Sequence, residues 1–165
     1  MPLLPVCPMT LRPISGSVSD GERLARRRQE FLDQNLPTIE RVHVLNIGIG
    51  SSVNDPPLPV DDAVARELLD MSLNDPDQDV RALAMTELFY VGEKFPEFRL
   101  DPSLSAPLIA TLRENADPRL RITAIYALRL MPGAPDIREA LETARDNDPD
   151  RLVRNWARQT LEGEL

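Results

Sequence analysis

Asp75-Pro76-Asp77-Gln78-Asp79-Val80-Arg81-Ala82-Leu83-Ala84-Met85-Thr86-Glu87-Leu88 returns, in outline, twice more along this chain. With Arg81 set over Arg121 and Arg154 the columns coincide. Asp77, Asp117 and Asp150 stand four residues before the arginine, and Val80, Leu120 and Val153 directly before it. Ala84, Ala124 and Ala157 stand three after it, and Leu88, Leu128 and Leu161 seven after it. The arginines are separated by 40 and then 33 residues. Self-similarity at such a period marks a stacked-repeat architecture, because each unit buries its apolar face only against its neighbours.

Each copy reads as the start of a helix. Asp77, Asp117 and Asp150 fall at the N-cap, where a short carboxylate accepts a hydrogen bond from an orphan backbone N–H and meets the positive end of the helix dipole. Pro118 falls at the first helical position, where a missing N–H costs nothing. The apolar residue, the alanine and the leucine recur at helical spacing on one face. The alanines are small enough to let a neighbouring helix approach closely. Gly92, Pro132-Gly133 and Gly163 follow the last apolar positions and are expected to end the helices. In front of each copy lies a second apolar-periodic segment: Asp61–Leu73, Ser105–Arg113 and Asp136–Arg145. Each unit is therefore helix, tight acidic turn, helix.

Two readings of Arg81, Arg121 and Arg154 compete. In the structural one, each bonds the Asp side chains or turn carbonyls of its own or the next repeat, so that Asp77, Asp117 and Asp150 with the three arginines form a ladder along the stack. In the other, the arginines form an anion-binding row. The structural reading is preferred, since each arginine travels with its own aspartate.

The run D-P-D-x-x-V-R-x-x-A-x-x-x-L resembles the HEAT repeat, most closely the short HEAT-like units of the phycobilisome-lyase type, over roughly residues 61–163. The second repeat departs from it, with Asn115-Ala116 in place of Asp-Pro. The resemblance implies an all-α, armadillo-type solenoid: a right-handed stack of antiparallel helix pairs, second helices on the inner face, holding another macromolecule.

Composition sets the remaining bounds. At 165 residues the chain is one domain or one short array, and 42% hydrophobic residues suffice for a core. Aromatics are only 4%, so that core is built from Leu, Ile, Val and Ala. A net charge of −8 argues against a nucleic-acid binder, which needs a basic face for phosphates. The single cysteine, Cys7, fits a reducing, cytoplasmic setting. No apolar run approaches the roughly 20 residues of a membrane span. Residues 1–18 are expected to be a loosely ordered leader, with translation beginning at Met1 or Met9.

A single solenoid domain is expected over 19–165, with repeats at 20–49, 61–92, 103–131 and 135–163, the first of them degenerate. Ser19-Asp20 offers an N-cap to a helix over Glu22–Gln34. Its Arg26-Arg27-Arg28 run reads as the solvated face of a capping helix rather than an anion patch. The segment 37–49 is open between a short strand (Val42, Val44, Ile47, Ile49) and a helix (Ile39, Val42, His43, Ile47). Arg41 lies a repeat length before Arg81, which favours the helix. Asn54–Pro59 reads as a rigid extended connector. Glu93–Pro102, with Phe95, Phe98 and Leu100, reads as a loop pinned on the stack or as a partner-binding loop.

No catalytic constellation is found. His43 is the only histidine and is expected in the core or at its boundary. No Cys/His cluster has zinc spacing, and the paired His-Glu motifs of di-iron HEAT-repeat enzymes are missing. The expectation is a non-enzymatic scaffold without a cofactor or metal that binds a protein or peptide on its second-helix face. The alternative is a lyase-like or chaperone-like factor gripping a small hydrophobic cofactor or tetrapyrrole. Homo-oligomerisation through an exposed stack end is a third possibility. Positions one, five and eight after each arginine are not needed for stacking. They single out Phe89, Ile122, Tyr126 and Arg129, with Thr86, as a strip more apolar than a solvated face requires.

Overall fold

The computed structural model of the chain describes residues 19–48 and 56–163. They form eight α-helices and a single 3-10 turn, with no strand among the described residues. The helices are α1 (Asp20–Leu32), α2 (Thr38–His43), α3 (Asp62–Asn74), α4 (Gln78–Lys94), α5 (Ser105–Glu114), α6 (Pro118–Leu128), α7 (Pro135–Asn147) and α8 (Arg151–Glu162). Helices α3 and α4, α5 and α6, and α7 and α8 pack as successive pairs. The pairs stack through α4 on α6, α6 on α8 and α5 on α7. The architecture is an all-α solenoid.

The acidic turns repeat almost atom for atom. Oδ1 of Asp75, Asn115 and Asp148 accepts from the backbone N–H of Asp77, Asp117 and Asp150 at 2.8, 2.9 and 2.9 Å. Each of those aspartates then caps its helix, accepting from Asp79, Arg119 and Leu152 N–H at 2.8, 2.9 and 2.7 Å. Asn115 makes this turn as well as Asp does, because the turn uses only a side-chain oxygen. The core follows the expected columns: Ala84, Ala124 and Ala157 are fully enclosed, as are Val80, Val153, Leu88 and Leu128. Leu120 is only half-buried, so the second repeat uses that column less than the others.

The N-terminal pair is less regular. Helix α1 begins with a capping box, Ser19 and Glu22 exchanging hydrogen bonds. Of the segment 37–49, the described residues 37–48 form a short helix and then turns, and the helix ends at His43 rather than near Gly48. Val42, Leu45 and Ile47 enter the core. His43 does not; it is exposed, contrary to expectation. Arg27 is not part of a solvated face either. It turns inward and donates to the carbonyls of Val44, Leu45 and Pro56 at 2.6–3.0 Å, joining α1 to the segment after α2. Arg28 pairs with Asp61 and Arg26 with Glu30, so the Arg26–Arg28 run presents no unpaired patch. The leader 1–18, Cys7, both candidate starts, Ile49, Gly50 and the first part of the connector, through Asp55, lie outside the described residues.

Gly92 also departs from expectation. It does not end a helix but lies inside α4, which runs on to Lys94. The loop that follows is pinned to the stack. Leu100 is buried, and its N–H donates to the carbonyl of Leu130 at 3.0 Å.

Candidate functional site

Helices α4, α6 and α8 bring one aromatic side chain each to a common point. Phe89, Tyr126 and Trp156 touch pairwise, with ring centroids 5.2 Å apart for Phe89–Tyr126, 5.6 Å for Phe89–Trp156 and 5.0 Å for Tyr126–Trp156. Two of the three pairs are edge-to-face, the arrangement in which the positive ring edge meets the negative face. Tyr90 adds a fourth ring, 5.3 Å from Phe89 and also edge-on. One aromatic seam thus joins three repeats.

The guanidinium of Arg129 closes the seam on one side. It stands 5.0 Å from the Phe89 ring centroid, donates to the Phe89 carbonyl at 2.7 Å and pairs with Glu93 at 3.2 Å. Gly92 makes room for it: a Cβ there would lie 2.4 Å from an Arg129 nitrogen. Burial drives the Tyr126 hydroxyl up to about 12, although the charge of Arg129 pulls it back. Tyr126 is therefore a neutral phenol at physiological pH.

Beside the seam lies a surface cleft of about 620 Å³. Its walls are Phe89 and Trp156 on the helix side and Phe95, Pro96, Phe98 and Arg99 on the loop after α4, with Arg129 and Pro132 between them. A second cleft of about 420 Å³ runs along the first helices, lined by Leu69, Leu73, Leu104 and Leu108.

The anticipated strip is only partly accessible. Phe89, Thr86 and Arg129 are half-buried, and Phe89 and Arg129 line the cleft. Thr86 does not line it; its hydroxyl donates to the Ala82 carbonyl. Ile122 and Tyr126 are 6% and 8% exposed and offer almost no surface. The reason is the position of α6, which packs against α3, α4, α5 and α8 and buries every residue from Arg121 to Leu128. Trp156 was not among the anticipated residues. It stands two after its arginine, where Tyr126 stands five after and Phe89 eight after. The aromatic position steps back three residues from repeat to repeat, close to one helical turn, so a fixed column does not register it.

The arginines of the repeat face their own turns. Arg81 donates to the carbonyls of Asp75 and Pro76, Arg121 to those of Asn115 and Ala116, and Arg154 to those of Asp148 and Pro149, at 2.6–3.2 Å in every case. Asp77, Asp117 and Asp150 serve as the helix caps described above. Of these three, only Arg121 reaches a carboxylate of the next repeat. Its Nε and Nη2 grip Asp148 in a bidentate pair at 2.8 Å, with both side chains under a tenth exposed. The ladder is thus one inter-repeat rung on a row of intra-turn bonds. The residue matching Asp148 in the second repeat is Asn115, which carries no charge to pair with Arg81.

Among the described residues no group of His, Cys, Asp and Glu is placed to hold a metal ion. No helix there is long and apolar enough to cross a membrane.

Comparison with protein families agrees with this geometry. Residues 65–162 match HEAT repeats, which is more than half of the chain, and the protein belongs to the HEAT-repeat family. Comparison with curated proteins and with solved structures returned no match. HEAT repeats are in general interaction scaffolds.

Proposed function

We propose that this chain is a non-enzymatic adaptor that binds a protein or peptide in the cleft beside the aromatic seam on its second-helix face. The observation that carries this reading is the seam itself. Phe89 and Trp156 are rigid aromatic walls held from behind by Tyr126 and beside them by the pinned Arg129, and they border a cleft of about 620 Å³. Aromatic and Arg side chains in preformed concavities are the groups that dominate interface energetics. In this reading Phe89 and Arg129 meet the partner directly. Tyr126 supports the wall from behind without meeting the partner, and Ile122 lies in the core.

A photo-crosslinking residue placed at Phe98, on the loop wall, tests this. In cells of the native host it is expected to trap a partner. The same residue at Leu152, which is 61% exposed near the start of α8 and does not line the cleft, is expected to trap none. Equal recovery at the two positions would remove the cleft from consideration.

The size and apolar lining of the cleft also suit a small hydrophobic ligand, since such sites span about 300–1,000 Å³. This is the function implied by the finer resemblance to the phycobilisome-lyase type. A mass spectrum of the intact protein from its native host separates the two readings. A retained small molecule favours the ligand, and the bare polypeptide mass favours the adaptor.

We also infer that residues 20–49 are a degenerate first repeat. Arg41, 40 residues before Arg81, is buried and donates to the Phe31 carbonyl at 2.8 Å, much as the later arginines bond the end of the preceding helix. It also pairs with Glu67 on α3.

A further inference from the structure

The charges around the cleft are unequal in a way the adaptor reading does not use. Three charged side chains line it: Glu93, Arg99 and Arg129. Glu93 and Arg129 neutralise each other at 3.2 Å. Arg129 has spent its other terminal nitrogen on the Phe89 carbonyl. Arg99 has no acidic partner among the described residues. Its Nη1 donates to the carbonyls of Pro96 and Phe98 at 2.6 and 2.8 Å, which ties the guanidinium to its own loop. Its Nε and Nη2 make no further hydrogen bond among the described residues. That edge is the planar two-donor fork that fits a carboxylate.

We propose that the cleft takes a short acidic peptide segment, which sets an apolar or aromatic side chain against Trp156 and Phe89 and a carboxylate against Arg99. The inference rests on the adaptor reading and names the chemistry of the partner. Charge complementarity selects the acid. The charged side chains of the lining sum to one surplus positive charge, opposite in sign to the net charge of −8 on the whole chain. The same surplus is too small for a nucleic acid, whose binding needs several basic contacts to successive phosphates. The position of the acid follows as well. The helix side of the cleft includes Gly92, Gln159 and Thr160 in the last turns of α4 and α8, and carbonyl ends of helices carry partial negative charge. The carboxylate is thus directed to the loop side, where Arg99 lies, and the apolar group to the rings opposite.

Trp156 is the only tryptophan in the chain, so its fluorescence reports on the cleft alone. The probe is a displayed library of random heptapeptides selected on the immobilised full-length chain, followed by synthesis of the enriched sequences. Enriched peptides are expected to carry Asp or Glu within two residues of an aromatic or branched aliphatic residue and to shift Trp156 emission saturably. Arg99→Glu is expected to weaken them by about 10-fold or more, the loss of one charge-assisted bidentate contact. Replacing the acidic residue of the peptide by Lys is expected to restore binding to that variant, which a loss of folding would not allow. Arg99 is exposed and caps no helix, and Arg99→Gln serves as the milder control. Enriched peptides that move Trp156 but lack an acid, or that bind Arg99→Glu unchanged, overturn the acidic specificity and leave the cleft as a peptide site. Peptides that bind without moving Trp156, or a library that enriches nothing, overturn both.

Discussion

Glu87 is a carboxylate that the fold closes off from water. It is 5% exposed on α4, and its Oε2 accepts from the N–H groups of Ile47 and Gly48 at 2.8 and 3.0 Å, tying the segment after α2 to the second pair. Burial pushes its pKa above the ordinary value of 4.5; the two N–H donors and the nearby His43 only partly offset this. A carboxyl that holds its proton longer in the folded state contributes stability that is fully present below about 4.5 and is lost as pH rises through the folded value. Glu87→Gln keeps an acceptor oxygen and cannot ionise. The difference in Tm, wild type minus Glu87→Gln, is therefore expected to fall as pH rises above about 4.5. A difference that grows with pH contradicts the assignment. Gly92 yields a second prediction at this scale. Replacing a glycine within a helix by alanine ordinarily stabilises by about 0.5–1 kcal/mol. Here the new methyl displaces the Arg129 guanidinium from the Phe89 carbonyl. Gly92→Ala is expected to leave Tm nearly unchanged while shifting Trp156 emission, because Arg129 leaves the seam.

Among the elements, the turn between α7 and α8 joins two repeats through a buried ion pair. Asp148 begins that turn by accepting from Asp150 N–H and at the same time receives Arg121 from α6. Hydrogen bonding to Asp148 holds the Arg121 pKa above its ordinary value despite burial, and the neighbouring Asp150 and Asp117 act in the same sense. Removing one partner of a buried pair leaves the other charge uncompensated. Asp148→Ala is thus expected to cost about 3 kcal/mol, read by urea denaturation. Asp75→Ala removes the matching turn acceptor with no buried arginine behind it. Its expected loss is nearer 1 kcal/mol, typical of a single side-chain hydrogen bond. Equal losses in the two variants would refute the inter-repeat rung.

At the scale of the whole molecule, stability is distributed as a one-dimensional stack predicts. Helix α6 has packed neighbours on several sides and α2 is short, with its outward Ile39 37% exposed. Native-state hydrogen exchange is expected to show the strongest protection in α6, with protection falling through α4 and α8 and lowest in α2. Protection highest in α7 or α1 would mean that the array does not unfold from its ends.

The turns, caps and enclosed alanines were legible in the sequence because they are local. Asp77 caps its own helix, Arg81 bonds the carbonyls of its own turn and Ala84 lies on the same helix, all within a single hairpin, so the same solution recurs at 121 and 154. The family and the all-α architecture follow from that recurrence. What surrounds each helix in space was not legible. Ile122 and Tyr126 occupy columns that look free within one repeat, and they are closed because α6 has a neighbour on either side. Trp156 joins Phe89 across a diagonal that no column of the repeat contains. Gly92 resembles a helix stop, and only the approach of Arg129, from 37 residues further along the chain, explains it. Contacts within a hairpin are set by residues a few positions apart, so their spacing records them. The cleft is set by side chains from three hairpins and a loop, and its composition depends on how those units stack.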